Sequence, residues 1–132
     1  MLISLKGTGV QIYQCRKGND GDAAAWTFVR PEAELSAGNA PVGTHGAGPF
    51  WQYHDGSRIT AKLVRKADGA SVGDIPWLRL AVDAHTGQGV FSTVDVVIRA
   101  DTQGGALTGS CDTPGATQAV PYRATYRFIR RL

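Results

Sequence analysis

Apolar and polar residues alternate along most of this chain with a period of two, the spacing of a strand that buries one face. Val10-Gln-Ile-Tyr-Gln-Cys15 opens the pattern, with Val10 and Ile12 on one face and Gln11, Tyr13 and Cys15 on the other. Lys17 to Ala23 is turn chemistry, because Asn, Asp and Gly tolerate positive φ. Ala25 to Arg30 makes a second strand and pairs with the first as a hairpin. Pro31 is expected to stop it, and Pro31 to Leu35 to form one helical turn with proline at its start. Val42 to Trp51 holds too much glycine for a regular strand interior and predicts a short strand or loop. Phe50 to Tyr53 is a strand, and His54-Asp55-Gly56-Ser57 a hairpin turn, since Asp-Gly is a strong local turn signal. Alternation resumes from Ser57 to Arg65, with the apolar Ile59, Ala61 and Leu63 on one side and Arg58, Thr60 and Lys62 on the other.

Lys66 to Asp74 is a loop of small and polar residues. From Ile75 to Val82 the pattern puts Leu78, Leu80 and Val82 on the core, with Pro76 at a strand start or an edge. His85 to Gly89 is another turn. Val90 to Arg99 is the longest strand candidate, with Val94, Val96 and Ile98 on one face and Phe91, Thr93, Asp95 and Val97 on the other. Buried, Asp95 would need a partner such as Arg99 or an arginine of the last strand. Thr102 to Gly115 is a glycine-rich connection. In the closing strand Tyr122, Ala124, Tyr126 and Phe128 face one way and Arg123, Thr125 and Arg127 the other. Seven or eight short strands at even spacing, without a long helix, predict an all-β antiparallel domain, either a small barrel or a β-sandwich.

Composition agrees with that picture. The chain has 132 residues, one domain's worth, and 42% of them are apolar, enough for a core. Seventeen glycines and six prolines favour short elements and tight turns over long helices. The net charge of +3 is mild, and Arg127, Arg130 and Arg131 account for part of it. A solvated C-terminal end explains that cluster better than a nucleic-acid footprint, which would gather more basic residues with base readers among them. No run of about twenty apolar residues exists to span a membrane. Met1 to Leu5 is too short for the apolar core of a secretion signal, so an exported form would have lost its leader. The pattern does not specify an oligomeric state.

Candidate chemistry concentrates in Val42 to Ser57, which gathers His45, Trp51, Tyr53, His54 and Asp55 on a glycine-rich backbone. A histidine held by a carboxylate acts as a general base, which nominates His45 and Asp55. The plainer reading is that Asp55 bonds its own turn, His54 is solvated and His45 is structural. His45, His54 and His85 lack the HxH or HExxH spacing of a metal site, so no metal and no cofactor is expected. Ser57, Ser92 and Ser110 lie outside any GxSxG elbow. Cys15 and Cys111 form either one disulfide or two unrelated buried thiols. We favour the disulfide, which implies an oxidising compartment. Aromatic residues are spread over most strands. In a barrel they would either pack a core or line an apolar cavity with Trp51, Tyr53, Trp77 and Tyr126 as ligand contacts.

Several phrases together resemble a family of small secreted bacterial and fungal proteins known only as a domain of unknown function. They are Gly9 to Cys15, Trp26-Thr-Phe with Pro31 to Leu35, Gly43-Thr-His, Gly48 to Trp51, Asp55-Gly-Ser, and Ile75 to Leu78. Thr102 to Gly105, Cys111 and Pro121 to Tyr126 complete the set, so the resemblance runs from about residue 8 to 129. It implies export, in agreement with a disulfide. Some fungal members carry an automatic malate dehydrogenase label. This chain has neither a GxGxxG that opens a helix after a strand nor a βαβ pattern, so it does not support that label. The expectation is a secreted or periplasmic binding module for a small apolar or amphipathic ligand or a surface partner. The alternatives are a cofactor-independent enzyme around His45 and Asp55, and a structural cell-surface protein.

Overall fold

The computed structural model describes residues 2–18 and 23–130, with the side chain of Leu2 left out. Residues 19–22, in the predicted first turn, and Arg131 lie outside the described residues. Eight strands follow one another: β1 (Leu2–Arg16), β2 (Ala25–Ala37), β3 (Ala40–Gly46), β4 (Phe50–Tyr53), β5 (Arg58–Ala67), β6 (Trp77–Thr86), β7 (Val96–Gly104) and β8 (Thr117–Ile129). A 3-10 helix, Val90–Thr93, stands between β6 and β7. Each strand pairs antiparallel with the next, and β8 pairs with β1, so the sheet closes on itself as a ring. Closure removes the exposed edges that an open sheet would have to protect. No helix among the described residues is long and apolar enough to cross a membrane.

Because every neighbouring pair is antiparallel, the connections alternate between the two ends of the ring. The β1–β2, β3–β4, β5–β6 and β7–β8 connections share one end, and β2–β3, β4–β5 and β6–β7 share the other. Cys15, at the end of β1, forms a disulfide with Cys111 in the β7–β8 connection. We call this the disulfide end. Backbone bonds join the same segments: Cys15 N to Ala116 O, Trp26 N to Gly109 O and Cys111 N to Ala24 O. The opposite end is filled by the 3-10 helix, whose Phe91 is fully buried and 4.6 Å from Phe128, ring centre to ring centre. We call it the plugged end.

The core runs through the ring. Leu5, Leu35, Trp51, Ile59, Leu80, Phe91, Val97, Tyr122, Ala124, Tyr126 and Phe128 are buried together. The last strand shows the expected alternation, with Tyr122, Ala124, Tyr126 and Phe128 all inward. Room for the Tyr126 ring comes from β1. A Cβ at Gly7 would stand 2.4 Å from Tyr126 Cε2, so glycine there lets a large aromatic side chain lie across the strand.

Four local expectations are corrected. Pro31 neither stops β2 nor starts a helical turn, since the strand continues to Ala37. Pairing of β2 with β3 begins only at Ala33, so Pro31 sits where β2 has a partner on one side alone, a position that tolerates proline. Val90 to Arg99 is not one strand, and the longest strand is β1, with 15 residues. Asp55 Oδ2 accepts from Val90 N at 2.8 Å and Ser92 Oγ from Gly89 N at 2.7 Å, which turns residues 90–93 into the 3-10 plug. Gly89 has φ 151°, and a Cβ there would meet the Asp55 carboxylate at 2.0 Å. Leu63 is half-exposed rather than core, because register shifts at Thr60/Ala61 and Leu63/Arg65 break the alternation of β5. His85 lies within β6, which runs on to Thr86, and its Nε2 is 2.6 Å from Val94 O.

Candidate functional site

An eight-stranded ring encloses a space that side chains either just fill or leave open for one small ligand. Here they fill one end and leave a cavity of about 240 Å³ toward the other. Its walls come from β2, the β3–β4 hairpin, β6, β7 and β8. Phe28 and Val29 line it while remaining 46% and 36% exposed, which puts them at its mouth. That mouth lies along the stretch of β2 that extends past its pairing with β3. Gly48 and Pro49, joined by a cis peptide, line it on the hairpin side.

Inside, the register sets the neighbours. His45 and Trp51 are cross-strand partners on β3 and β4, and their rings stack at 4.5 Å with 16° between planes. Tyr126 approaches the pair from β8, 5.1 Å from His45 and 5.9 Å from Trp51. Arg99 on β7 pairs in register with Leu78 of β6 and Tyr126 of β8. Leu78 and Leu80 complete the apolar wall.

Burial governs the electrostatics. His45 Nδ1 is 2.8 Å from Phe50 O, so in the neutral ring this nitrogen carries the proton and donates it to the carbonyl. Desolvation lowers the His45 pKa to about 4; the Phe50 hydrogen bond opposes this and the nearby Arg99 charge reinforces it. The imidazole is therefore neutral at physiological pH. Burial likewise raises the Tyr126 hydroxyl pKa against the pull of Arg99, and the Tyr122 hydroxyl, 2.8 Å from that of Tyr126, is raised too. Arg99 is only 8% exposed. Its Nε and Nη2 donate to Pro76 O at 3.0 and 2.9 Å, and the guanidinium also bonds the Tyr126 hydroxyl.

The sequence candidates separate in space. Trp51, Tyr126 and His45 line the cavity. Tyr53 shares the inward face of β4 with Trp51 but points toward the plugged end, edge-on to Phe91 at 5.6 Å. Trp77 is the first residue of β6 and lies outside the cavity, 40% exposed. Asp55 belongs to the β4–β5 turn at the far end from His45. Its oxygens accept from Ser57 N, Ser57 Oγ and Val90 N, bonds that hold its pKa below the ordinary carboxylate value, the Ser57 hydroxyl foremost. The structure thus does not bring His45 and Asp55 together. Among the described residues no group of three or more His, Cys, Asp or Glu is placed to hold a metal.

Arg99, Phe28, Val29 and Leu80 are site residues that the sequence candidates did not include. The signal for Arg99 was a lone charge inside the apolar run Val96 to Ala100. The sequence profile of DUF3455, a family described as a protein of unknown function, matches residues 36–130. The chain belongs to this family. The match covers β3 to β8, and with them every cavity residue except those of β2. It gives no support to a malate dehydrogenase label. No curated protein and no solved structure matches the chain.

Proposed function

We propose that this protein is a non-catalytic binding module that takes a small, largely apolar ligand into the cavity at the disulfide end. One observation carries the reading: an apolar space between Trp51, Tyr126, Leu78 and Leu80 whose mouth exposes Phe28 and Val29 to solvent. Exposed apolar side chains around a concave apolar site are what a ligand covers on binding. At about 240 Å³ the space is below the roughly 300–1,000 Å³ of drug-sized sites, which selects a small ligand or one small part of a larger one. The environment of His45 favours binding over catalysis, because its partner is a backbone carbonyl and not a carboxylate that would orient it as a base. The Cys15–Cys111 disulfide supports an exported protein working in an oxidising compartment.

Calorimetric titration with small aliphatic and aromatic compounds tests the reading. Leu78→Trp, which fills the cavity from its half-buried wall, is expected to abolish binding. Tyr53→Leu and Trp77→Ala, which alter aromatics outside the cavity, are expected to leave it unchanged. Binding that survives Leu78→Trp and falls with Trp77→Ala would move the site to the outer surface and overturn the proposal.

A further inference from the structure

We infer that the ligand is an apolar monocarboxylate whose anionic head is received by Arg99. The inference rests on the cavity being the binding site. Among the described residues, Arg99 is the one charged side chain in the cavity lining, and it is more than nine-tenths buried. No carboxylate among the described residues lies within ion-pair distance of its guanidinium. An arginine that only tethered the Pro76 carbonyl and the Tyr126 hydroxyl would have neutral partners alone and leave a full charge uncompensated in a largely apolar pocket. Proteins seldom keep a buried charge unpaired, because its desolvation is repaid only by a partner of opposite sign.

The neighbouring groups narrow the anion. Trp51 lines the same cavity, and its buried indole N–H has no acceptor among the described residues. His45 is neutral, so the pocket offers one positive charge in total. One charge matches a carboxylate, whose two oxygens suit the planar guanidinium, better than a phosphate dianion. The rest of the lining is aliphatic or aromatic, which sets the body of the ligand as apolar.

The test titrates the intact, oxidised protein with hexanoate and phenylacetate and with their uncharged counterparts, hexanamide and phenylacetamide. Comparing the two acids distinguishes an aliphatic from an aromatic body. Each acid that fits should bind at least about tenfold tighter than its amide, the margin of one charge-assisted hydrogen bond. Arg99→Met should erase that margin, and Arg99→Lys should keep part of it. Should Arg99→Met not fold, the acid-to-amide ratio of the unaltered protein together with Arg99→Lys still decides. Acids and amides that bind equally well would overturn the anion inference and leave the cavity reading standing. Failure of all four probes to bind would overturn both.

Discussion

At the plugged end of the ring, polar groups answer one another around the buried Ser57. Ser57 Oγ donates to Asp55 at 2.6 Å and accepts from Phe91 N at 3.1 Å, and Asp55 also takes Val90 N. At the disulfide end the arrangement is incomplete. Among the described residues, Trp51 Nε1 and Gln11 Oε1 are buried without partners, and Arg99 is a cation without a carboxylate. Both ends are built from the same kind of strands and contain similar side chains. A polar group whose partners are all supplied by the chain holds the fold together. One left waiting inside a cavity points to something outside the chain. Val42 to Ser57, a single polar-aromatic cluster in sequence, is divided between the two: His45 and Trp51 go to one end, Asp55 and Ser57 to the other.

The disulfide separates the ends most strongly. Cys15 and Cys111 are 96 residues apart, and closing so long a loop stabilises the fold by roughly 4–5 kcal/mol in the chain-entropy view. The double variant Cys15→Ser/Cys111→Ser should lose about that much in urea unfolding. Its loss should also be uneven. Hydrogen exchange should speed up first at the Cys15, Trp26 and Cys111 amides, which are bonded across the disulfide end, while Val90 and Phe91 keep their protection. Equal loss at both ends would mean that the ring unfolds as one unit and that the contrast does not extend to dynamics.

Acid should act on the two ends in different pH ranges. The His45 pKa is depressed to about 4 from an ordinary 6.5, so between these values the unfolded chain binds a proton that the folded chain excludes. Stability that is fully present above pH 6.5 is then lost as pH falls toward 4, by about 3 kcal/mol. Asp55, held low chiefly by the Ser57 hydroxyl, loses its contribution only at lower pH, as protonation passes through its depressed value. Urea midpoints at pH 7, 5.5 and 4 for the unaltered protein and His45→Asn check this. The substituted amide keeps a donor for Phe50 O but does not titrate, so its stability should be nearly flat over that range. A parallel decline in both proteins would assign the acid sensitivity elsewhere.

Much of the ring was legible in the sequence, because β8 and the β4–β5 hairpin follow period-two and turn rules that act locally. The errors share one cause, which is that the deciding partner lies far along the chain. Val90 to Thr93 has β-branched residues and alternation, yet Asp55, 35 residues earlier, turns it into a 3-10 plug. Pro31 looks like a strand stop, yet it occupies the part of β2 that extends beyond β3. For the site, parity within β6 was enough to turn Trp77 outward, since Leu78 and Leu80 face in. Parity could not distinguish Trp51 from Tyr53, which share a face and differ only in which end of the ring they reach. Arg99 becomes visible as a site residue only when the closed ring brings β6, β7 and β8 around one cavity.

The smallest of these effects tests whether the plugged end is purely structural. Ser57 is fully buried, and its hydroxyl is the shared partner of Asp55 and the Phe91 amide. Ser57→Ala removes the acceptor for a buried N–H and should cost about 1–3 kcal/mol. The 3-10 helix should loosen, with faster exchange at Phe91 N, because Val90 N keeps Asp55 but Phe91 N loses its bond. Ligand binding at the disulfide end should stay as it was, since Asp55, Ser57, Val90 and Phe91 do not line the cavity. A fall in affinity as large as the fall in stability would show that the plug sets the shape of the cavity through Phe91, Phe128 and Trp51, which are in ring contact in that order. The two ends would then be one coupled core, and the unpartnered groups near Arg99 could no longer be read apart from the bonds that hold the plug.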